Sequence, residues 1–209
     1  MAAETQSGAL MPVVTLFGLV GAGAEVVARE VAAGLGLPYH PQAFSSDTIA
    51  GAPVSSAEDR ATLAKVIEVL GAVFGEQQHR DEKHVAMLRD ELVEDNTRVV
   101  LDYAGKGGVI VGRNAARILW ERPRALHVLL TGEQQARHRR AAVEMGLPLE
   151  RAATRADRED EVRADTSIVL YGWDPRVPEG YDVVIDTSRV SVAAAAAAIV
   201  ALVRTSADS

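Results

Sequence analysis

The sequence predicts an α/β fold, a parallel sheet covered by helices on both faces, and three observations carry that expectation. Residues 13–17, 109–111, 126–130 and 183–185 are short, almost continuous apolar runs, the signature of strands buried on both sides. Segments with helical spacing separate these runs, so strands and helices alternate. Gly18, Gly112 and Asp186 close three of the strands, at the carboxyl edge where such sheets bind ligands.

Taken in order, the run 13–17 reads as a buried strand, and 25–35 as a helix stopped by Gly36. Residues 38–40 suit a brief second strand. Residues 41–56, rich in Ser, Pro, Gly and Ala, read as loop with at most one helical turn. From 57 to 103 the pattern is helical in two pieces, broken near Gly71 to Gly75 or at His79-Arg80. One apolar stripe is Val66, Val69, Leu70 and Val73; another is Val85, Leu88, Leu92 and Val99. After Gly105 to Gly108 come the strand 109–111, a short helix at 115–120 and the strand 126–130. Helices follow at 133–145, punctuated by Gly146 and Pro148, and at 149–169, which is dense in charge. Ser191 is placed to cap the alanine-rich last helix.

The length of 209 residues suits one domain over 12–205, with residues 1–11 a flexible extension and 206–209 a tail. Apolar residues make up 48% and aromatics 4%, so the core must be aliphatic. The net charge of -7 argues against a nucleic-acid polymer as partner. Zero cysteines exclude disulfides, thiolate chemistry and Cys-based zinc sites, and fit a cytoplasmic location. The opening residues lack the pattern of a secretory signal, and the longest apolar run, 192–203, is short for a membrane span, so no membrane partner is expected. The long stripes of 57–103 would serve equally to cover the sheet or to form a homodimer.

The stretch 18–25, Gly-Leu-Val-Gly-Ala-Gly-Ala-Glu, carries the chemistry. Glycines let backbone N–H groups converge on an anion, and the following helix adds its positive end. Gly18 and Gly23 have the spacing of a phosphate loop, G-x-x-x-x-G-K-[ST], but Ala24 stands where the lysine belongs and Glu25 where the Ser/Thr belongs. A plain strand-to-helix turn is the alternative. A dinucleotide loop fits less well, because the last position of its pattern is Val26.

Four segments in order carry a resemblance: "GAGAEVVAREVAAGLGLPY", "GGVIVGRNAARIL", "HVLLTGEQQARHRRAAVEMGLPLERAATRADRED" and "YDVVIDTSRVSVAAAAAAIVALV". Together they resemble the cytidylate kinase-like family, a nucleoside monophosphate kinase branch of the P-loop phosphotransferases. The resemblance implies a three-layer P-loop-type parallel sheet, with a helical monophosphate-binding insert at about 41–105 and a lid at about 146–172. It implies phosphoryl transfer from ATP with Mg²⁺ to CMP or a related nucleotide; a catalytically weak nucleotide-binding module of the same fold is the alternative. By motif, Gly18, Gly21, Ala22, Gly23, Ala24 and Glu25 would form the phosphate loop. Arg113 would face the acceptor phosphate, and Arg158, in Asp157-Arg158, would belong to the lid; Arg155 joins Arg158 as a candidate catalytic residue by its spacing alone. Glu25 stands where the family motif has arginine.

With no lysine in the loop, arginines must supply the charge, through a fork of donors matched to phosphate oxygens. Arg113 directly follows a strand. Arg155 and Arg158, three apart, can share a helical face. Asp102, Asp157 and Asp186 are conceivable partners of magnesium, but no dedicated metal site is expected, and the five histidines show no ligand spacing. Trp120 and Trp173 read as packing residues.

Overall fold

The computed structural model describes residues 10–42, 56–74 and 82–207. The strands are β1 (Val13–Gly18), β2 (Tyr39–His40), β3 (Gly108–Val111), β4 (Ala125–Thr131) and β5 (Val183–Asp186), in the order β2-β3-β1-β4-β5. Every pairing is parallel, as the continuous apolar runs require. Helices α1 (Ala24–Leu35) and α7 (Val192–Ala207) cover one face. There Val14 and Leu16 of β1 meet Val27, Val31 and Ile199. Val13 points the other way, as the two-residue period of a strand dictates, into Val100, Ala104, Ile110 and Leu119. Those residues belong to α3 (Glu82–Lys106), β3 and the region of α4 (Ala115–Ile118). The result is three layers with β1 in the middle.

The expected element ends are largely observed. Helix α1 stops at Gly36, whose φ of 65° is left-handed, and Leu37 N–H turns back to the Ala32 carbonyl at 2.9 Å. Ser191 Oγ accepts the Ala194 N–H at 3.2 Å and caps α7. Helix α2 (Ala57–Phe74) runs straight through Gly71; the remaining linker to α3, and the loop expected within 41–56, fall mostly outside the described residues.

The two stripes need correction in their phase. Val66, Val69, Leu88 and Leu92 pack together, but Val73 is 54% exposed, and Val100 rather than Val99 is buried. The reason is that α3 changes partner along its length. Its first half packs on α2 and on Val169 and Leu170 of α6 (Leu149–Tyr171), and its second half packs under the sheet. A single stripe cannot serve both, so the buried face turns and Val99 is left facing a cavity. Helices α5 (Gln134–Met145) and α6 pack on each other after β4.

One polar pair lies inside the sheet. Thr15 Oγ1 and His127 Nδ1 are 2.7 Å apart on neighbouring strands, and both residues are buried. Burial holds the His127 imidazole below its ordinary value of 6.5, and burial does the same to His40. The folded chain therefore binds these protons less readily than the unfolded chain. Stability should fall as pH drops below about 6.5. Melting curves between pH 7.5 and 5 check this; His127→Gln should flatten part of the slope, and an unchanged slope would place the acid sensitivity elsewhere.

Candidate functional site

The loop between β1 and α1 has the backbone its glycines allow. Gly21 and Gly23 have φ of 76° and 79°, and Ala22 N–H closes a turn on the Leu19 carbonyl at 2.8 Å. A methyl group at Gly21 would lie 2.1 Å from the Arg137 carbonyl oxygen, so the close approach of α5 also demands glycine there. The amides of Gly23, Ala24 and Glu25 meet no backbone acceptor among the described residues, which leaves them and the positive end of α1 to a ligand. The Glu25 side chain is exposed and lies along α1, 3.6 Å from Arg29.

Side chains of α5 and α6 hold the outer side of this loop. Arg137 Nη1 donates to the Val20 carbonyl and to Asp160 Oδ2, each at 2.9 Å, while Asp160 Oδ1 accepts the Val20 N–H at 2.8 Å. Arg140 Nη1 donates to the Gly21 carbonyl at 2.6 Å and to Thr187 Oγ1 at 3.0 Å. Arg163 Nη1 donates to the Gly18 carbonyl at 3.0 Å, with its guanidinium 4.6 Å above the Phe17 ring. Burial pushes the Asp160 carboxyl up, against the pull of Val20 N–H, Arg137 and Arg163.

Beside the loop, at the carboxyl ends of β1 and β3, lies a cavity of about 370 Å³ between α2, α3 and α6. That is the size of a small-molecule site. Arg98, Arg113 and Arg163 are among the residues that line it, and Leu16, Val66 and Leu92 form apolar parts of it. Arg113 stands where the strand-end reading put it. Gly112, Arg113 and Asn114 are successively left-handed, at φ of 65°, 56° and 55°. For the two non-glycines that conformation is strained, and neighbours hold it in place. Asn96 Nδ2 donates to the Arg113 carbonyl at 2.8 Å, and Trp173 Nε1 donates to Asn114 Oδ1 at 2.9 Å. Trp173 is thus an anchor of this turn rather than only a packing residue. Trp120 stacks on His127, with ring centroids 5.7 Å apart.

The structure brings the glycine loop and Arg113 to one edge of the sheet. Arg155 and Arg158 are not among the residues that line the cavity. Helix α6 buries Ala152, Ala156, Asp160, Ala164 and Ser167; Arg158 projects from the opposite, exposed face and Arg155 flanks the buried one. Arg137, Arg140, Asp160 and Arg163, which the sequence reading passed over, occupy the loop instead. The alanine spacing at 152, 156 and 164 marks the inner face of α6 and places Asp160 and Arg163 on it. Asp102 pairs with Lys106 at 2.7 Å, Asp157 with His138 at 2.8 Å, and Asp186 accepts from Ser188 N–H at 2.8 Å. Among the described residues no group of three or more His, Asp or Glu side chains could cage a metal ion.

Residues 13–189 match the model of the cytidylate kinase-like family. A crystal structure of an uncharacterized protein from Eubacterium ventriosum superposes with a TM-score of 0.65 at 16% identity, covering 93% of this chain and 99% of that one. Shikimate kinase from Acinetobacter baumannii, in complex with shikimate, superposes with a TM-score of 0.49 at 17% identity, covering 93% and 94%. Among curated proteins, the uronate isomerase of Corynebacterium glutamicum is 34% identical over 101 residues, 48% of this chain. The chain spans 20% of the length of that relative.

Proposed function

The chain belongs to the cytidylate kinase-like family, and from that premise we propose that it is a nucleoside monophosphate kinase, moving a phosphoryl group from ATP–Mg²⁺ to CMP or a related nucleotide. The observation that carries this reading is the meeting of loop and cavity at Arg163, which donates to the first loop carbonyl and also lines the cavity. A phosphoryl group passing from one side to the other would travel beside that guanidinium, where charge stabilisation matters most. The amides of Gly23, Ala24 and Glu25 would hold the donor phosphates. The magnesium would arrive on those phosphates, which needs no protein cage, and would neutralise their charge. Arg113 would orient the acceptor phosphate.

ADP release in the presence of ATP–Mg²⁺ and each monophosphate in turn tests the proposal. Turnover with a pyrimidine monophosphate is the expected result, and no turnover with any of them, in folded protein, would overturn it. Arg113→Ala should raise the KM for the acceptor about tenfold or more at nearly constant melting temperature, as expected for a lost charged hydrogen bond.

The replacement of lysine and Ser/Thr by Ala24 and Glu25 favours one second reading, a nucleotide-binding module of the same fold with little catalysis. Thermal-shift titration separates the two. Stabilisation without turnover, about 2.7 kcal/mol with ligand at 100 times its Kd, would support the module.

A further inference from the structure

The loop backbone is gripped from behind by side chains that neither the family reading nor the chemistry of transfer requires. At Val20, both ends of the residue's backbone are taken: its N–H by Asp160 and its carbonyl by Arg137, which are themselves joined at 2.9 Å. Arg137 Nε further donates to the Gly132 carbonyl at 3.2 Å, tying the grip to the end of β4. The next carbonyl, at Gly21, is held by Arg140, itself fixed on Thr187. Carbonyls held outward by guanidiniums leave the amides of the following residues to face inward. Arg137 and Asp160 are 6% and 7% exposed, so these bonds are made away from competing water.

We infer that the Asp160–Arg137 pair is the positioning device of the phosphate loop, presetting its backbone for anions in a chain whose loop has no lysine. The inference rests on the reading of the loop as a phosphate site. An ammonium in such a loop both attracts the anion and draws the backbone around it. Here the second task is performed before any anion arrives, by an ion pair on the far side of the peptide groups. Preorganised amides lose less freedom on binding, so the loop retains affinity without the ammonium. Asp160 and Arg137 touch no substrate in this arrangement; they act through Val20.

The test is calorimetric titration of the full chain with ATP–Mg²⁺ and, separately, with CMP. The variants are Asp160→Asn, Arg137→Lys and, as a stability control from the α1–α7 core, Ile199→Val. The expected result is a Kd for ATP raised about tenfold in the two clamp variants, with the Kd for CMP unchanged and the control binding ATP as the wild type does. Asp160→Glu should recover part of the loss if a carboxylate is what the loop needs. Equal ATP affinity in wild type and both clamp variants would overturn the device while leaving the loop a phosphate site. Loss of affinity in the control as well would reduce the pair to ordinary stability. A wild type that binds CMP but no ATP would overturn the phosphate-loop reading itself, and the inference with it. Should Asp160→Asn fail to fold, Arg137→Lys keeps the positive charge and decides the matter.

Discussion

Replacing Arg163 by methionine is expected to lower kcat about a thousandfold while changing the Kd of either nucleotide by only a few-fold, the signature of a charge used in the transition state. Arg163 is the guanidinium that both contacts the loop and lines the cavity. Burial pulls its pKa down, opposed by Glu159 and Asp160, and a guanidinium in a protein stays charged at neutral pH. Methionine fills similar volume over Phe17 and offers no donor. Single-turnover kinetics and equilibrium titration on the same protein separate the two effects. Arg163→Lys should recover part of the rate, because an ammonium restores charge without the fork. A methionine variant that turns over like the wild type would confine Arg163 to holding the Gly18 carbonyl.

Gly21→Ala should be the most damaging small substitution in the loop. The left-handed φ of 76° is unfavourable for alanine, and its methyl group would meet the Arg137 carbonyl at 2.1 Å. Strain of about 1–2 kcal/mol from the first and about 1–3 kcal/mol of overpacking from the second sum to roughly 3 kcal/mol. The protein can relieve the clash by moving α5 away from the loop, which would also break the bonds of Arg137 and Arg140. Both a lower melting temperature and loss of ATP binding are therefore expected, from thermal melts and titration. A variant with wild-type stability would show that α5 yields freely there. Gly36→Ala makes the comparison, since that position shares the left-handed φ but has open space around it.

The same contrast shows what the sequence made legible. The strands, their parallel arrangement and the glycine stop of α1 follow from local pattern, because burial on two faces and a left-handed cap leave marks within a few residues. The positions of the glycine loop and of Arg113 were legible for the same reason: both come just after a strand. The arginines of α5 and α6 were missed because the charge-rich run from Arg137 to Arg163 draws the eye to charge, whereas the signal for the inward face of α6 is the alanine spacing at 152, 156 and 164. What that face then meets depends on packing between α6, the loop and α3, among contacts remote in sequence. Arg155 and Arg158 share a face with one another, but the face with Asp160 and Arg163 is the one turned inward. Stripe phase failed along α3 for a related reason, since that helix serves two cores in succession.

The sheet order has a consequence for how the chain is made. β1 registers Val13 against Gly108 on one side and against Ala125 on the other. The separations are 108 − 13 = 95 and 125 − 13 = 112 residues. On the ribosome the central strand therefore has no neighbour until 95 residues have followed it. Its apolar edges stay exposed through that interval, and at roughly 5–20 residues per second the wait is on the order of 5–20 seconds. The segment that ends in the glycine loop is then the part of the nascent chain most in need of shielding by a chaperone.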